Sequence, residues 1–530
     1  MLAVYLSNIV LIQAQDFKWA KKIIDKKTTG CAYVKRITID KEDNIILAGG
    51  FIKDVVFADT TYKSYGYNDI CLMKYSSTGE KLFFKQFGGR QSDQVYGLFV
   101  TPNSDIYLCG SFQATAIFDT LVFYKAPHIS DYTEYYDEIF IVGINKSGKL
   151  FYGEQYKTGP FRNEGHNIVI DADDNIFLTG VFRSRIKFKD SLLLEGDPLF
   201  LTKINSNRNT EWIKELTRYN DDLFVGNLLI DSQRNLLVTG RISRVADLDG
   251  VSNKINYHNV FIAKYSSKGE FMWYTNFDTD REYPINLALD SKSNSIMTTT
   301  FNNKLIVGNT MLTTTGNYNG FIVKQNQVGE VIWAKQIVSD NFNVAGNAII
   351  DKSDNILVTG RFFGEIKIGD KSVQSNGLSD IFIAKLDANG NTLWLATIGG
   401  KNYDYDPIIN YNSKGNVVLL GAYDFTTTIG NTVLNSDTSG NTFLTEFSEP
   451  LTSVPSEKTE AYRLIVQDNG DYLIDIDGES ITAQMYNLLG DEVRKYTTKK
   501  ISTSSLMNGV YYLKISNGQN YFLEKIIIQH

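Results

Sequence analysis

Apolar runs alternate with short polar segments along most of the chain, and the pattern recurs about every 60 residues. Each copy holds a run that ends in Asp (RITID, 36–40), a short turn, and a second run (NILVTGRF, 355–362). A third run (IFIAKL, 381–386) follows, and a glycine turn then leads to a run with an aromatic residue. Those aromatic residues are Trp19, Phe84, Phe151, Trp212, Trp273, Trp333 and Trp394. The runs are short, rich in β-branched residues and bounded by turn formers, so the pattern predicts four β-strands per copy.

Seven copies of four strands predict an all-β fold, a seven-bladed β-propeller with four-stranded blades. The array opens at Trp19 with a strand of the fourth type, and it ends at residues 442–447 with a strand of the third type. The incomplete copies at the two ends of the array are complementary, so we expect the N-terminal strand to complete the last blade and close the ring. The propeller is predicted to span residues 16–447.

Residues 1–15 form a short apolar run that ends in small and polar residues. The run is too short to cross a bilayer, and it is predicted to be the remnant of a secretory signal peptide, cleaved near Gln15 or Asp16. An apolar first strand is the alternative, which the repeat disfavours because it begins only at Trp19. No basic segment precedes the run, which leaves open whether the first residue is the true start. No transmembrane segment is predicted.

The formal net charge is −7, with 53 Lys and Arg against 60 Asp and Glu, which argues against a nucleic-acid partner. Cys31, Cys71 and Cys109 show no CxxC spacing, so zinc is not expected. We expect these cysteines to pack as small buried residues, with a disulfide as the alternative. No GxSxG, HExxH, P-loop or Rossmann pattern occurs in a suitable setting, so the sequence nominates no catalytic residue.

The repeat also carries a family pattern: D-x-x-x-N-[IL]-x-[LV]-T-G-x-F, then D-I-F-I-A-K, a glycine turn and Trp. Across residues 19–447 this pattern resembles the bacterial β-propeller repeat called the SBBP repeat. The resemblance implies a propeller in an extracellular or envelope setting, and it implies no single activity.

The repeat gives way to a segment of different composition near the C-terminus. Residues 448–461 are rich in Pro, Ser and charge without periodicity, which predicts a linker. Residues 462–530 contain short alternating strands separated by turns that include glycine. They predict a small, Ig-like antiparallel β-sandwich as a second domain.

Two stretches of this second domain, YNLLGDEV and L-x-x-G-V-Y-Y-L-K-I, are followed by a terminal K-I-I-I. They resemble the type A C-terminal sorting domain of the type IX secretion system of Bacteroidetes. The resemblance places the sorting motif at Leu488, Gly490, Leu506, Gly509, Tyr511 and Lys525. It implies recognition by the secretion machinery through residues 462–530, usually with removal of the domain, and then release or attachment to the outer cell surface. A plain accessory sandwich is the alternative.

The long connections on one face of the propeller are the predicted binding surface, because loops on a rigid scaffold commonly carry function. Their aromatic and basic residues suit sugar stacking or peptide binding. The candidate ligand-binding residues are Tyr96, Phe161, Arg162, Tyr219, Tyr283, Tyr403 and Tyr405. A solvated face with incidental aromatic residues is the alternative.

The acidic turns form a second candidate site. DADDN places Asp171, Asp173 and Asn175 at alternating positions, a spacing from which oxygen side chains wrap calcium. Other copies lose the middle acids, and Asp and Asn also favour turns for local reasons, so an ordinary turn is the preferred interpretation. No cofactor is predicted apart from this calcium alternative.

These features together predict a monomeric, secreted or surface-attached binding or adhesion module whose ligand is a glycan or a protein. The alternative is a secreted carbohydrate-active hydrolase or lyase with carboxylates on the long-loop face, and a third possibility is a structural element of the cell surface. An isolated pair of acids about 5 to 10 Å apart at the mouth favours the enzyme. A broad aromatic surface without such a pair favours binding.

Overall fold

A computed structural model of the chain describes residues 17–26, 31–57, 60–124, 136–158, 162–187, 193–196, 199–218, 224–242, 246–248, 251–253, 259–279, 285–314, 317–339, 341–449, 462–466, 471–476, 482–487, 492–516 and 521–528. All regular structure in these residues is β-strand. The chain divides into two compact regions, an N-terminal region (residues 1–448) and a C-terminal region (residues 449–530). The described part contains no helix long and apolar enough to cross a membrane.

The N-terminal region repeats one strand pattern seven times, and we call the copies units 1 to 7. Strand β1 (Phe17–Lys26) precedes them. Unit 1 contains β2 (Cys31–Ile39), β3 (Ile45–Ile52), β4 (Asp54–Phe57), β5 (Thr60–Lys63), β6 (Asp69–Tyr75) and β7 (Lys81–Phe87). Unit 2 contains β8 (Asp93–Val100), β9 (Ile106–Gln113), β10 (Thr115–Phe118), β11 (Leu121–Tyr124), β12 (Asp137–Ile144) and β13 (Leu150–Thr158). Unit 3 contains β14 (Glu164–Ile170), β15 (Ile176–Val181), β16 (Ser184–Lys187), β17 (Leu193–Gly196), β18 (Leu199–Ile204) and β19 (Thr210–Glu215).

The later units follow the same order. Unit 4 contains β20 (Thr217–Arg218), β21 (Phe224–Ile230), β22 (Leu236–Ile242), β23 (Ala246–Leu248), β24 (Val251–Asn253), β25 (Asn259–Tyr265) and β26 (Phe271–Asp278). Unit 5 contains β27 (Asn286–Leu289), β28 (Ser295–Phe301), β29 (Lys304–Val307), β30 (Thr310–Thr313), β31 (Asn319–Gln325) and β32 (Val331–Val338). Unit 6 contains β33 (Asn343–Ile350), β34 (Ile356–Phe362), β35 (Glu365–Ile368), β36 (Lys371–Gln374), β37 (Asp380–Leu386) and β38 (Thr392–Ile398). Unit 7 contains β39 (Asp404–Tyr411), β40 (Val417–Tyr423), β41 (Thr426–Ile429), β42 (Thr432–Asn435) and β43 (Asn441–Phe447).

Each unit is built on four antiparallel strands that pair in chain order, as β2, β3, β6 and β7 do in unit 1. Two shorter strands form a hairpin between the second and third long strands, as β4 and β5 do. Because the strands alternate in direction, the first-to-second and third-to-fourth turns lie at one end of every unit, which we call the short-turn end. The hairpin and the link to the next unit lie at the opposite, long-loop end.

Unit 7 supplies only three long strands, and β1 from the start of the chain provides the fourth. In this pairing Trp19 lies opposite Glu446 and Ala20 lies opposite Thr445. The Thr445 hydroxyl donates to the Trp19 carbonyl at 2.6 Å, and Trp19 Nε1 donates to Glu446 Oε2 at 3.3 Å. The two ends of the repeat array are therefore joined in one sheet, through the pairing that their complementary strands predict.

The first strands of neighbouring units contact each other in a series that returns to its start. The series runs β2, β8, β14, β21, β27, β33, β39 and back to β2. Among the described residues each sheet stays open, and what closes is this series of contacts between sheets. The first strands of units 1, 4, 5, 6 and 7 line a common cavity.

The long strands are buried on both faces because neighbouring units pack face to face. Every residue of β6 and of β37 is buried. One apolar cluster joins Ile46 and Leu72 of unit 1 to Leu108 and Phe140 of unit 2. Because burying such a side chain contributes about 1.5–3 kcal/mol, packing between sheets is a main source of stability.

The recurrent aromatic residue packs on the glycine turn of the next unit. A Cβ added to Gly329, whose φ is +85°, would lie 2.7 Å from Cε3 of Trp273. A Cβ added to Gly79, whose φ is +74°, would lie 2.9 Å from Cζ3 of Trp19. The left-handed backbone and the adjacent ring both require glycine, which explains why aromatic residue and glycine recur with one period.

The C-terminal region forms two antiparallel sheets, a three-stranded and a four-stranded one. Its strands are β44 (Tyr462–Val466), β45 (Tyr472–Ile476), β46 (Thr482–Tyr486), β47 (Glu492–Tyr496), β48 (Lys500–Ile501), β49 (Gly509–Ser516) and β50 (Tyr521–Ile528). Ile474 of the smaller sheet packs in one cluster with Met485, Leu513 and Ile515 of the larger sheet. This region therefore has an apolar core of its own.

Candidate functional site

The first strands carry bulges at the long-loop end of the units. The pairing of first and second strands shifts at Lys35 in unit 1, at Tyr96 in unit 2 and at His166 in unit 3. In unit 7 it shifts across Asp406 and Pro407. A bulge leaves a residue out of the ladder and re-aims its side chain, and here it turns polar side chains toward the centre of the region.

Several first strands line a cavity of about 840 Å³. Lys35, Arg36 and Arg361 bring three positive charges to it, and Asp406 brings one negative charge. The remaining polar lining is mostly amide, and the rest of the wall is aliphatic. The cavity is therefore cationic in a chain whose net charge is −7, and a charged cleft with apolar walls concentrates ions of the opposite sign.

Lys35 lies against the ring of Tyr96. Its Nζ is 4.2 Å from the ring centroid and donates to Gln94 Oε1 at 3.4 Å. Burial lowers the pKa of Lys35 to about 8, and Glu164 opposes this shift. The amine is thus charged at neutral pH and loses its proton just above it.

Glu164 connects the candidate residues Tyr96 and Arg162. Tyr96 Oη and Arg162 Nε both donate to Glu164 Oε1, each at 2.8 Å, and His166 Nε2 lies 2.8 Å from Oε2. Burial alone would raise the pKa of Glu164, but the bonds from His166 and Arg162 outweigh it and lower the pKa. Glu164 is therefore an ionised carboxylate with both oxygens occupied.

The stacked pair of Tyr96 and His166 is held in its neutral form. Their ring centroids are 4.7 Å apart. Burial raises the pKa of Tyr96 and lowers the pKa of His166, so the phenol and the imidazole both stay uncharged near neutral pH.

The two arginines of the cavity have no carboxylate within ion-pair distance among the described residues. Arg36 donates to Asn167 Oδ1 and to the Lys35 carbonyl, each at 3.3 Å. The Arg361 guanidinium lies 5.6 Å from the ring of Phe342 and 5.7 Å from that of Phe363. Neutral groups position Arg36, which leaves its charge available to an anion, whereas Arg361 also acts on the carboxyl group of Asp406.

Asp406 is the carboxylate of the cavity. Burial raises its pKa and Arg361 opposes the shift. Its φ is +50°, a left-handed value that is unusual outside glycine, and Pro407 follows it. Such strained residues concentrate at functional sites.

Tyr403 and Tyr405 lie just before Asp406 in the chain and are not among the lining residues of the cavity. Tyr405 Oη donates to Asp424 Oδ1 at 3.0 Å. Tyr403 is 40% exposed and continues a row of edge-packed rings through Phe363 and Phe342. The structure thus places four predicted residues in two clusters, Tyr96 with Arg162 and Tyr403 with Tyr405, whereas Phe161, Tyr219 and Tyr283 lie outside the described residues.

Lys35, Arg36, Arg361 and Asp406 line the cavity but are not among the residues predicted from the sequence. A difference between the copies of the repeat could have indicated such a position. The residue five positions before the turn Asp is Gly226 in unit 4 and Gly346 in unit 6, but it is Lys35 in unit 1 and His166 in unit 3. A bulge at a position of variable chemistry marks the lining of the cavity.

The acidic turn of unit 3 is closed by its own hydrogen bonds. Asp171 Oδ1 accepts from the backbone N–H groups of Asp173 at 3.0 Å and Asn175 at 2.9 Å, and Oδ2 accepts from Asn175 Nδ2 at 2.8 Å. Asp173 pairs with Arg234. No group of three or more metal-binding side chains occurs in the described part of the chain, and calcium binding at this turn stays a prediction.

Cys71 and Cys109 are buried free thiols, as predicted, and burial raises the pKa of both; for Cys71 it reaches about 12. The side chain of Cys31 lies outside the described part.

The sorting-motif residues are described in part. Tyr511 Oη donates to the Met507 carbonyl at 3.0 Å, and Leu506 packs against the core of the C-terminal region. Gly509 begins β49. Lys525 pairs with Tyr512 in the sheet, but its side chain lies outside the described part, as do Leu488 and Gly490.

Residues 468–529 match a family model described as the secretion system C-terminal sorting domain. The match indicates export through type IX secretion and contact with that machinery. It is consistent with a secreted or surface-attached protein.

A curated relative, the uncharacterized WD repeat-containing protein L264 of Acanthamoeba polyphaga mimivirus, is 22% identical over 196 residues. The match covers 31% of this chain and only 14% of the relative's length.

Two solved structures are similar at low identity. A polysaccharide lyase of family PL25, an ulvan lyase bound to -[GlcA(1-4)Rha3S]-, has a TM-score of 0.39 and 9% identity, over 81% of this chain and 97% of its own. PorZ, a surface component of the type IX secretion system of Porphyromonas gingivalis, has a TM-score of 0.23 and 9% identity, over 94% and 82%. These TM-scores are too low to assign fold or function.

Proposed function

We propose that the chain is an exported, seven-bladed β-propeller that binds an anionic ligand, such as an acidic glycan, in its central cavity without catalysis. Units 1 to 7 are the blades, β1 completes the last of them, and the C-terminal region is the Ig-like sorting domain that directs export. Two observations support the ring: the seven sets of four paired antiparallel strands, and the series of contacts between first strands that returns to β2.

The observation that carries the binding function is the excess of positive charge in the cavity. Lys35, Arg36 and Arg361 face one carboxylate, Asp406. Arginine presents several donors in a planar fork that matches a carboxylate or sulfate, and a positive charge held by neutral groups keeps its full attraction for an anion.

The carboxylates near the cavity support binding rather than hydrolysis. A glycosidase needs one carboxyl group that is free to donate a proton and a second that is free to attack or to activate water. Both oxygens of Glu164 are occupied by Tyr96, Arg162 and His166. Asp406 is the one carboxyl group among the described residues that line the cavity, so no second acid faces it there.

The test is equilibrium binding of polygalacturonate to the purified full chain, with dextran as the uncharged comparison. We expect polygalacturonate to bind and dextran not to bind, with affinity falling as salt is added because the contact is ionic. Replacing Arg36→Gln and Arg361→Gln together lowers the affinity by about ten-fold or more, since each charge-assisted hydrogen bond contributes about 1.5–3 kcal/mol.

The matched control removes two positive charges outside the cavity, Lys85→Gln with Lys304→Gln, and leaves the affinity within about two-fold of wild type. Equal losses in both double variants would contradict a site in the cavity. If the bound polymer is shortened during incubation with the protein, the non-catalytic binding function is wrong and the hydrolase or lyase alternative is supported. The absence of binding to every polyanion tested would overturn the proposal.

A further inference from the structure

Two buried aspartates meet where unit 1 packs on unit 2. Asp69 begins β6 and Asp93 begins β8, and both are fully buried. Asp69 Oδ2 accepts from the Tyr65 N–H at 2.8 Å and from Gln86 Nε2 at 2.6 Å. Asp93 Oδ2 accepts from the Gly89 N–H at 2.7 Å. The Oδ1 atom of each aspartate has no partner at hydrogen-bond geometry among the described residues, and the backbone N–H groups of Gly66 and Gln113 act on Asp69 and Asp93 and oppose the rise of their pKa that burial causes.

The two carboxyl groups converge on one glycine. A Cβ added to Gly88 would lie 2.7 Å from Asp93 Oδ2 and 3.1 Å from Asp69 Oδ1. Two acids therefore share one small buried space. Two ionised carboxylates at such a site repel each other, and neither has water to screen it.

The same arrangement recurs where unit 6 packs on unit 7. Asp380 and Asp404 are fully buried and converge on Gly399, where a Cβ would lie 2.5 Å from Asp380 Oδ1 and 2.9 Å from Asp404 Oδ2. The Gly400 N–H donates to Asp404 Oδ2 at 2.8 Å. The Oδ1 atoms of both aspartates again lack a partner in the described part. A G-G-x-x-x-D sequence precedes each second aspartate, at 88–93 and at 399–404.

At the junction between units 5 and 6 the two corresponding residues are asparagines, and a hydrogen bond joins their side chains. Asn319 begins β31, as Asp69 begins β6, and Asn343 begins β33, as Asp93 begins β8. Asn343 Nδ2 donates to Asn319 Oδ1 at 3.1 Å and to the Ile337 carbonyl at 3.1 Å. One N–H group thus links the two side chains. In the acid pairs, the corresponding link requires a hydrogen on one carboxyl oxygen.

The charged groups that act on the acid pairs are themselves acidic. Asp93 is acted on by Asp69 and Asp137, and Asp404 by Asp380 and Asp424. Burial raises the pKa of Asp93 to about 8 and the pKa of Asp404 to about 7, and the neighbouring acids add to both shifts. These directions agree with the geometry.

We propose that Asp69 with Asp93, and Asp380 with Asp404, each hold one shared proton at neutral pH and form two pH-sensitive locks between neighbouring units. One carboxyl group donates its O–H to the facing oxygen of the other, as the Asn343 amide does to Asn319. As pH rises the proton leaves, two buried carboxylates face each other, and the units are pushed apart. A proton suits this space better than calcium, which takes six to eight oxygen ligands.

The sign of the pH effect follows from the raised native pKa. The unfolded chain loses these protons near pH 4, whereas the folded chain keeps them to about pH 7 or 8. The locks therefore stabilise the fold fully in acid, and their contribution is lost as pH rises through this interval.

The test follows urea unfolding of the full chain by tryptophan fluorescence, because all five tryptophans lie in the N-terminal region. We expect the unfolding equilibrium constant of the wild type to rise with pH between about pH 5 and pH 8, by up to about ten-fold per pH unit for each shared proton. The double variant Asp93→Asn with Asp404→Asn has an amide in place of each shared proton. Its pH slope is shallower, and it becomes more stable than wild type at the alkaline end.

The control variant, Asp370→Asn with Asp437→Asn, changes two exposed aspartates and keeps the wild-type slope. A slope that is equal in wild type and in the Asp93→Asn, Asp404→Asn variant would overturn the proposal. A second result would also overturn it: addition of EDTA lowers the urea midpoint of the wild type but not that of the Asp93→Asn, Asp404→Asn variant. That result would show that a metal ion occupies the space between the carboxyl groups.

A reciprocal variant tests the inference without removing a native acid. Asn319→Asp with Asn343→Asp creates a third acid pair, and we expect it to steepen the fall of stability with pH. Destabilisation by the same amount at every pH would show an ordinary packing defect and would contradict the lock.

Discussion

The two ends of the units use buried aspartate in opposite ways. At the short-turn end, Asp40, Asp231, Asp290 and Asp351 close the turns and pair with Lys74, Lys264, Lys324 and Lys385 at 2.8–2.9 Å. Burial alone would raise the pKa of Asp231, but Lys264 and the Asn235 donors lower it. At the long-loop end, Asp93 faces Asp69 instead of a lysine, and its pKa rises.

The lysines of the short-turn end also connect neighbouring units. Lys264 Nζ donates to the Gln327 carbonyl in the next unit at 3.3 Å, and Lys324 Nζ donates to the Ala388 carbonyl at 3.2 Å. At those junctions the hydrogen bonds outweigh burial and lower the pKa of Asp231 and Asp290, so these carboxylates stay charged near neutral pH, whereas the acid pairs and the cavity respond to pH in that range. The contacts between units are therefore insensitive to pH near neutrality at the short-turn end and sensitive to it at the long-loop end.

The largest expected effect comes from breaking one lysine pair of the short-turn end. Lys264→Met leaves the Asp231 carboxylate buried without its counter-ion, since both side chains are almost fully buried. We expect a loss of about 3–5 kcal/mol in the free energy of unfolding, measured by urea denaturation.

Neutralising the partner checks the cause of that loss. Adding Asp231→Asn to Lys264→Met removes the stranded charge and keeps an acceptor for the turn, so part of the stability returns. Lys85→Met, which removes a partly exposed pair with Asp119, costs less than about 1 kcal/mol. A Lys264→Met variant no less stable than Lys85→Met would remove the contrast between the two ends.

A second, smaller effect tests the packing of the short-turn end. Gly329→Ala places a Cβ against Trp273 at a left-handed backbone position. We expect a loss of about 2–4 kcal/mol, the sum of backbone strain and overpacking. Urea denaturation followed by fluorescence measures it.

Gly415→Ala is the matched control, because Gly415 has a φ of +79° and no atom within 4 Å of an added Cβ. It bears only the backbone cost, about 1–2 kcal/mol. Equal losses in the two variants would show that the contact with Trp273 adds nothing.

The difference between the two ends also explains what the sequence predicted well. The short-turn end repeats the same contacts in several units: Trp273 packs on Gly329, and Asp231 bonds to Asn235 and Lys264. A requirement that recurs in each unit leaves a periodic trace, so strands, turns and the pairing of β1 with β43 follow from the pattern.

The cavity leaves no such trace, because the units that line it contribute different residues. Lys35, Tyr96 and His166 occupy equivalent bulges and share no chemistry. Their proximity depends on how neighbouring sheets are placed around the cavity, which no local pattern encodes. Loop composition predicts Tyr96 and Arg162, but their common partner Glu164 is found only where unit 2 packs on unit 3.

The smallest expected effect concerns the responsive end alone, and it depends on the proposed binding function. Because the pKa of Lys35 is lowered to about 8, its charge is lost between about pH 7 and pH 9. We expect the affinity for polygalacturonate to fall several-fold over this interval in the wild type. In Lys35→Gln the affinity is already reduced at pH 7 and changes little with pH.

Lys304→Gln, an exposed change outside the cavity, keeps the wild-type pH profile and serves as the control. An unchanged profile in Lys35→Gln would show that another group causes the pH dependence. Unfolding is measured on the same samples, because the acid pairs also deprotonate in this pH range. A fall in affinity that occurs at the same pH as unfolding is caused by loss of the locks. A fall in affinity that occurs at a lower pH than unfolding, and that is absent in Lys35→Gln, is caused by deprotonation of Lys35 in the cavity. That result distinguishes the pH dependence of the cavity from that of the acid pairs.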